Sequence, residues 1–324
     1  MSGTGKSSRH AFTEALLQAA RLDSTIFAVT SDARGSVTLG EFEKSLPAQF
    51  VEVGIAEQNA VGVGAGLARS GKRVFVCGPA CFYSARSAEQ VKNDVAYANV
   101  DVKIVGVSGG VSYGALGSTH HSLHDIALYR AIPNMRIILP ADVSQTAQAT
   151  DYLAHNSGPA YMRLGRSPVP AVYGPDEVSF QFGRANLLRE GSDCTIIAAG
   201  EAVYHAVKAA ESLQVQGIRC TVLDVSTIKP LDSETILRAV RSTGVVVTME
   251  EHSIFGGLGG AVAELLIQNE PLPMKIIGFP DEFVVAGESP ELFEYYGLSG
   301  AKLTNTIEEF IRSASRMKSR SKGA

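Results

Sequence analysis

Short, continuously apolar segments alternate along the chain with segments of helical periodicity, and this alternation constrains the fold most strongly. Residues 26–29, 73–77 and 103–107 are such apolar runs, and helical spacing of apolar residues lies between and around them. Strands of this kind, connected through helices, form parallel sheets that are covered on both faces. The sequence therefore predicts an α/β fold in which mostly parallel sheets are flanked by helices.

The length and one break in the pattern predict two domains. A chain of 324 residues exceeds the size at which one hydrophobic core stops growing. Residues 167–181 are rich in proline, show little periodicity and indicate a linker. The α/β pattern resumes afterwards. We predict a first domain over residues 1–168, a linker over 169–190 and a second domain over 191–324.

Composition excludes several classes of function. The net charge is −4 and no basic stripe indicates nucleic acid binding. No segment is long and apolar enough to span a bilayer, and the first residues lack the apolar region of a secretory leader. The four cysteines do not have the spacing of a disulfide framework or a zinc site. These features predict a cytoplasmic protein that binds neither nucleic acid nor membrane.

One carboxylate stands out in the apolar segment 50–66. An extended run reaches Gly54, and Glu57 then opens a helix rich in glycine and alanine. Burial favours the protonated form of a carboxylate, which can then donate or accept a proton near neutral pH. An acid in the first helical turn is also favoured by the helix dipole alone. This segment by itself leaves both explanations of Glu57 open.

Polar segments follow two of the predicted strands. Residues 30–36 contain Asp32 and Ser36, and the glycine-rich loop 108–121 contains His120. Ligands of open α/β sheets bind at the carboxyl ends of the strands, and long structured loops are usually functional. His120 and His124 have helical spacing, but a substrate site explains these histidines better than a metal, and we predict no metal site in this chain.

Several motifs together resemble the transketolase family. In the first half these are Glu-Val-Gly-Ile-Ala-Glu-Gln-Asn at 52–59, Ser-Asp-Ala-Arg-Gly-Ser at 31–36, Gly-Ser-Thr-His at 117–120 and Leu-Gly-Arg at 164–166. They are similar to the pyrimidine-binding domain of that family. The segments 226–232 and 250–260 resemble its C-terminal domain. The resemblance covers nearly the whole chain and implies a thiamine-diphosphate-dependent enzyme.

The resemblance implies a role for each cofactor-binding residue. Glu57 matches the catalytic carboxylate that bonds N1′ of the aminopyrimidine and so assists removal of the proton from C2 of the thiazolium. This context favours the catalytic explanation of Glu57. Phe82 and Tyr83 lie where the family places aromatic residues against the pyrimidine. Core packing is the alternative for Tyr83. Asp32 matches a residue that approaches the cofactor.

The resemblance also implies substrate contacts. Ser36 matches a residue that binds the substrate phosphate, and His120 matches a histidine that contacts the substrate and assists proton transfer. Arg166 matches a phosphate-binding arginine, whose guanidinium suits a phosphate dianion. Arg163 either joins Arg166 in the site or pairs with an acid at an interface.

The family's diphosphate-binding sequence, Gly-Asp-Gly followed by Asn, does not occur in the chain. A diphosphate needs a cation and helix N-termini to neutralise it. The chain therefore resembles the C-terminal subunit of a split transketolase. This resemblance implies a separate N-terminal subunit that supplies Mg²⁺ and the diphosphate site, in a heterotetramer with two copies of each chain.

Two departures bear on the substrate. Ser108 replaces a family histidine, and Leu116 replaces an aspartate that reads a sugar hydroxyl. Loss of a contact to a substrate hydroxyl strongly changes how an enzyme discriminates between substrates. We expect transfer of a two-carbon ketol unit between sugar phosphates, with an unusual sugar such as a branched or deoxy one among the substrates. The alternatives are the beta subunit of a 2-oxo acid dehydrogenase and a non-catalytic regulatory or scaffold subunit.

Overall fold

The computed structural model describes residues 6–174, 177 and 179–321. Within these residues the strands are β1 (Ile26–Thr30), β2 (Phe50–Glu52), β3 (Arg73–Pro79), β4 (Val102–Val107), β5 (Arg136–Ile138), β6 (Ala160–Leu164), β7 (Asn186–Arg189), β8 (Cys194–Ala198), β9 (Cys220–Asp224), β10 (Thr227–Lys229), β11 (Val246–Ser253) and β12 (Met274–Phe279). The α-helices are α1 (Ser8–Leu22), α2 (Gly40–Ser45), α3 (Glu57–Arg69), α4 (Ala80–Ala85), α5 (Ala88–Gln90), α6 (Asp125–Arg130), α7 (Val143–His155), α8 (Ala202–Val215), α9 (Ser233–Thr243), α10 (Leu258–Asn269), α11 (Ser289–Tyr295) and α12 (Gly300–Ser321).

The first sheet has seven strands in the order β10-β5-β6-β4-β3-β1-β2. All neighbouring pairs are parallel except β10 with β5. Strands β4 and β6 are buried along their whole length, including the charged residues Lys103 and Arg163, as expected for central strands of a sheet covered on both faces. The second sheet has the order β12-β11-β8-β9-β7, and only β7 is antiparallel within it. These sheets confirm the predicted fold class.

Two strands, β7 and β10, pair at or across the region between the two halves. Strand β7 lies inside the range predicted as linker and pairs with β9 in the second sheet. Residues 175, 176 and 178 of that range lie outside the described residues. Strand β10 comes from the second half of the chain but forms an edge of the first sheet, where Thr227 pairs with Ile138. Such pairing depends on long-range contacts that local patterns do not reveal.

Apolar packing continues from one sheet to the other. Val61 of α3, Val76 of β3 and Ile137 of β5 share one buried cluster with Leu223 of β9 and Ile236 of α9. A second cluster lies between the second sheet and helices α8, α11 and α12. In α12 it includes Leu303, Ile307, Ile311 and Ala314, the apolar face that the sequence predicts. The continuous core holds the two domains together.

Candidate active site

Glu57 lies in the first turn of α3, beyond the carboxyl end of β2. It is 3% exposed, so the predicted burial of this acid is observed. Arg86, just after α4, donates from Nη1 to Oε2 of Glu57 at 2.6 Å. Among the described residues no donor lies on Oε1. The carboxylate therefore has one charged partner and one oxygen available for a further hydrogen bond.

Phe82 of α4 presents a partly exposed ring that Arg86 links to this carboxylate. The guanidinium carbon of Arg86 lies 4.9 Å from the ring centroid of Phe82. On another side, the His120 ring meets Phe82 edge-on, with centroids 5.4 Å apart. Glu57, Phe82 and His120, which lie far apart in the sequence, thus form one cluster.

Tyr113 connects His120 to the end of β1. Its ring lies edge-on to His120 with centroids 5.6 Å apart, and its hydroxyl is 2.8 Å from Oγ of Ser36. The guanidinium of Arg166 stacks over the Tyr113 ring at 4.5 Å from the centroid. Ser36, His120 and Arg166, all predicted to bind substrate, therefore surround Tyr113.

Arg9 of α1 is a further member that the sequence reasoning missed. Its Nη1 donates to the carbonyl of Ser36 at 2.9 Å. Burial and the charge of nearby Arg166 lower the pKa of Arg9. Nε of Arg9 and Nη1 of Arg166 are buried and have no hydrogen-bond partner among the described residues. Two neighbouring guanidinium groups with unused donors are suited to bind an anion.

A signal for Arg9 was present in the sequence. Arg9, Phe12 and Leu16 are spaced so that they share one face of α1, and Phe12 and Leu16 are fully buried. A charged side chain on a buried helical stripe needs a reason, because burial of an unpaired charge is costly.

Asp32 follows the carboxyl end of β1 and has an exposed side chain. Its backbone is in the left-handed region, with φ of 54°. The Asp32 N–H donates to Oε1 of Glu52 at 2.7 Å, and the N–H of Gly54 donates to the same oxygen at 2.9 Å. Glu52 thereby holds the ends of β1 and β2 together and fixes the backbone that carries Asp32.

Tyr83 was predicted to contact the cofactor, and the structure instead buries it completely. Its hydroxyl is 2.9 Å from Oγ of Ser31, and burial raises the pKa of Tyr83. The ring packs on Gly78, where a Cβ would overlap it. Because no face of the ring is open, the core-packing alternative describes Tyr83, and Phe82 is the aromatic residue that faces the cluster.

Arg163 also differs from its predicted substrate role. It is 6% exposed and donates from Nη2 to Glu251 of the second domain, while its Nε lies 3.7 Å from Asp125. Two buried acids engage this guanidinium through Nη2 and Nε, while its Nη1 is buried and has no hydrogen-bond partner among the described residues. The alternative of an interface ion pair is the observed one.

Two acids of the second domain meet Arg163 in this buried interface. Burial, together with the charge of Glu251, raises the pKa of Glu201 to about 8. Burial raises the pKa of Glu251 to about 7, against the opposing effect of Arg163. Glu201 packs on the backbone of Gly165, where a Cβ would overlap its carboxylate. The second domain thus supports the turn that carries Arg166.

The second domain also holds the loop that carries His120. Oγ of Ser118 donates to the carbonyl of Val284 at 2.8 Å, and the N–H of Gly287 donates to the carbonyl of Gly114 at 3.2 Å. The N–H of Val111 donates to Oε1 of Glu251 at 2.8 Å. His120 is therefore positioned by both domains.

The other two histidines of this region are engaged elsewhere. Nε2 of His121 lies 3.3 Å from the carbonyl of Gly114, and Nε2 of His124 lies 3.3 Å from Oγ of Ser84. Burial lowers the pKa of both rings. In the part of the chain that the structure describes, no three His, Cys, Asp or Glu side chains are grouped to hold a metal, and no helix could cross a membrane.

Comparisons with known proteins agree with this geometry. The family model for the transketolase pyrimidine-binding domain matches residues 5–171, and the model for the transketolase C-terminal domain matches residues 183–303. One subunit of the apulose-4-phosphate transketolase of Phocaeicola vulgatus is 58% identical over 304 residues, covering 94% of this chain and 97% of that protein.

Two further relatives cover nearly the same length. The 6-deoxy-6-sulfo-D-fructose transketolase subunit SqwH of a Clostridium species is 39% identical over 301 residues, covering 93% of each chain. A solved structure described as a split gene transketolase, inactive beta4 tetramer, superposes with a TM-score of 0.86 at 38% identity, covering 96% of this chain and 98% of that one. The chain belongs to the transketolase family and corresponds to the C-terminal subunit of a split, thiamine-diphosphate-dependent transketolase.

Proposed function

We propose that this chain, together with a separate N-terminal subunit, transfers a two-carbon ketol unit between sugar phosphates. The observation that carries the proposal is the cluster of a buried carboxylate, an open aromatic ring and a pair of arginines at one sheet edge. The pyrimidine-binding domain implies thiamine diphosphate as the cofactor. That cofactor supplies the nucleophilic carbon and the electron sink for carbon–carbon cleavage.

Glu57 and Phe82 are the residues that would hold the aminopyrimidine. Oε1 of Glu57 can accept or share the proton at N1′, because Arg86 uses only Oε2. The buried position excludes water from that hydrogen bond and so strengthens it. Phe82 offers a ring face for stacking on a flat heterocycle. Asp32 follows the carboxyl end of β1, and we assign it to the approach of the cofactor.

The substrate phosphate would bind between Arg9 and Arg166. Their unused buried donors and the Ser36–Tyr113 pair support this assignment. His120 lies between this anion site and Phe82, since its ring contacts both Tyr113 and Phe82. A histidine in that position can donate to a sugar hydroxyl and move a proton at the reacting carbonyl.

The sugar itself is proposed from the departures at Ser108 and Leu116. Leu116 is 53% exposed in the loop before His120, so the loop offers an apolar side chain where the family presents an aspartate. Relatives at 58% and 39% identity are named for apulose 4-phosphate and for 6-deoxy-6-sulfo-D-fructose. We propose that the donor is an unusual ketose phosphate, with apulose 4-phosphate as the first candidate.

The assembly is proposed as a cytoplasmic heterotetramer with two copies of each subunit. Gly-Asp-Gly is missing from the sequence, so Mg²⁺ and the diphosphate would bind to the partner subunit. The solved relative, described as an inactive tetramer of beta chains, supports the need for a partner.

The test is reconstitution with the N-terminal subunit and assay against a panel of ketose phosphates and 2-oxo acids. Turnover of a ketose phosphate supports the proposal. Turnover of a 2-oxo acid instead would identify a dehydrogenase beta subunit. A complex without turnover on any of them would indicate a scaffold subunit.

Glu57→Gln in the same complex tests the catalytic acid. We expect the variant to fold and assemble normally and to lose more than about 100-fold in turnover, because the exchangeable proton is lost from the site. Glu89→Gln, which changes an exposed glutamate of α5, is the matched control and should retain activity. Substantial activity of the Glu57→Gln complex would refute the assignment.

A further inference from the structure

The guanidinium of Arg86 touches two different groups of the candidate active site. Its Nη1 donates to Oε2 of Glu57 at 2.6 Å, and its central carbon lies 4.9 Å from the ring centroid of Phe82. The Glu57 side chain is 4% exposed, whereas that of Arg86 is 49% exposed. A partly solvated cation therefore bridges a buried carboxylate and an aromatic face.

These are the same two groups that the proposed function assigns to the aminopyrimidine. A guanidinium is planar, donates in a fixed fork and stacks on aromatic rings, so it offers Glu57 and Phe82 the kinds of contact that a flat nitrogen heterocycle offers. We propose that Arg86 competes with the aminopyrimidine for the charge of Glu57 and the ring face of Phe82: the ring can reach Oε1 while Arg86 holds Oε2, and its full stacking on Phe82 then exchanges the Arg86 contacts for contacts to the ring. This inference rests on the proposed function.

The exchange is feasible because of the difference in exposure. Glu57 is buried, and an ionised carboxylate there is stabilised by the Arg86 charge. Arg86 follows the last residue of α4 and has half of its side chain in solvent, so it can rotate outward without disturbing the core. Partly exposed ion pairs contribute little, so the competition should weaken cofactor binding only modestly, about fivefold.

The experiment measures the Kd of thiamine diphosphate, at saturating Mg²⁺, by calorimetry on the chain reconstituted with its N-terminal subunit. Arg86→Met should bind about fivefold more tightly than wild type, because the competitor for Glu57 is removed. Arg86→Lys keeps a cation and should stay near the wild-type value. Arg69→Met removes an exposed arginine from the other end of α3 and should leave the Kd unchanged.

A second set of variants tests whether the effect of Arg86 on cofactor binding depends on the Glu57 carboxylate. In the Glu57→Gln background, Arg86→Met should no longer tighten binding, because the carboxylate for which the two groups compete is absent. Thermal unfolding of every variant checks the fold, and Arg86→Gln replaces Arg86→Met if the latter fails to fold.

Equal or weaker cofactor binding by a folded Arg86→Met complex overturns the inference, since it would mean that Arg86 supports the cofactor or is indifferent to it. A tightening that persists without the Glu57 carboxylate overturns it as well. If the wild-type complex binds no thiamine diphosphate, the proposed function fails and this inference fails with it. If the wild-type complex binds and only the Arg86 effect is missing, the proposed function stands.

Discussion

Glu201 should make the stability of the chain fall as the pH rises above neutrality. The side chain belongs to the second domain and packs on the backbone of Gly165, close to Glu251. Burial, and then the charge of Glu251, raises the pKa of Glu201 from 4.5 to about 8. Replacement of this acid by a neutral residue of the same size, Glu201→Gln, removes the titration without leaving a cavity.

The sign and size follow from the two protonation equilibria. Near pH 7 the unfolded chain has lost the Glu201 proton, whereas the folded chain retains it until the pH approaches about 8. A raised pKa in the folded state gives stability that is complete below the ordinary value of 4.5 and is lost as the pH rises through about 8. Only the part of the interval below the folded pKa of about 8 contributes fully, so at about 1.4 kcal/mol per pH unit the loss between pH 7 and pH 9 is on the order of 1 kcal/mol.

The assay is urea unfolding at pH 7, 8 and 9 with the protein concentration held constant. Glu251 titrates in the same direction, so the comparison with the variant isolates Glu201 better than the wild-type curve does. The free energy of unfolding of Glu201→Gln, relative to wild type, should rise by on the order of 1 kcal/mol across this range. Glu309→Gln, on the exposed side of α12, should follow wild type. Parallel curves for Glu201→Gln and wild type would refute the reasoning.

Four other substitutions test the site and the contacts that support it. Arg163→Met should lower the free energy of unfolding by about 3 kcal/mol in urea titrations, because Glu251 loses its buried cation; an unchanged midpoint would contradict the interface role. Tyr83→Phe should lower the free energy of unfolding by about 1 kcal/mol and leave the Kd of the cofactor unchanged. Phe82→Leu should raise the Kd of the cofactor several-fold. The reverse pattern would restore Tyr83 to the site. Arg166→Gln should raise KM for the phosphorylated substrate about tenfold with little change in kcat, and an unchanged KM would exclude a phosphate contact.

Local patterns in the sequence were sufficient for most of the secondary structure. The apolar runs 26–29, 73–77 and 103–107 became β1, β3 and β4 with ends within two residues of the expected ones, and Asp142 caps α7 by accepting from the N–H of Gln145. These features depend on residues close in the chain, where periodicity and capping chemistry act. The motifs identified the family because several of them occur in the right order.

Contacts between residues far apart in the chain were harder to predict from the sequence. Arg163 and Arg166 are three residues apart and carry the same charge, so only the position of Glu251, eighty-eight residues away, separates an interface residue from a site residue. Tyr83 and Phe82 are adjacent, and the backbone geometry of α4 decides which ring enters the core. Arg9 required knowledge that α1 lies beside the end of β1. The roles of Glu57, Asp32, Ser36, His120 and Arg166 in binding and catalysis stay predictions.

Strand β10 has a consequence for dissecting the chain. A polypeptide cut after residue 168 would lack the segment that pairs Thr227 with Ile138, and β5 would become an uncovered edge. Free edges invite pairing with other chains, so an excised first half should aggregate rather than fold cleanly. For the same reason, neither half can be transplanted alone into another enzyme, because the backbone hydrogen bonds of one sheet are shared between both.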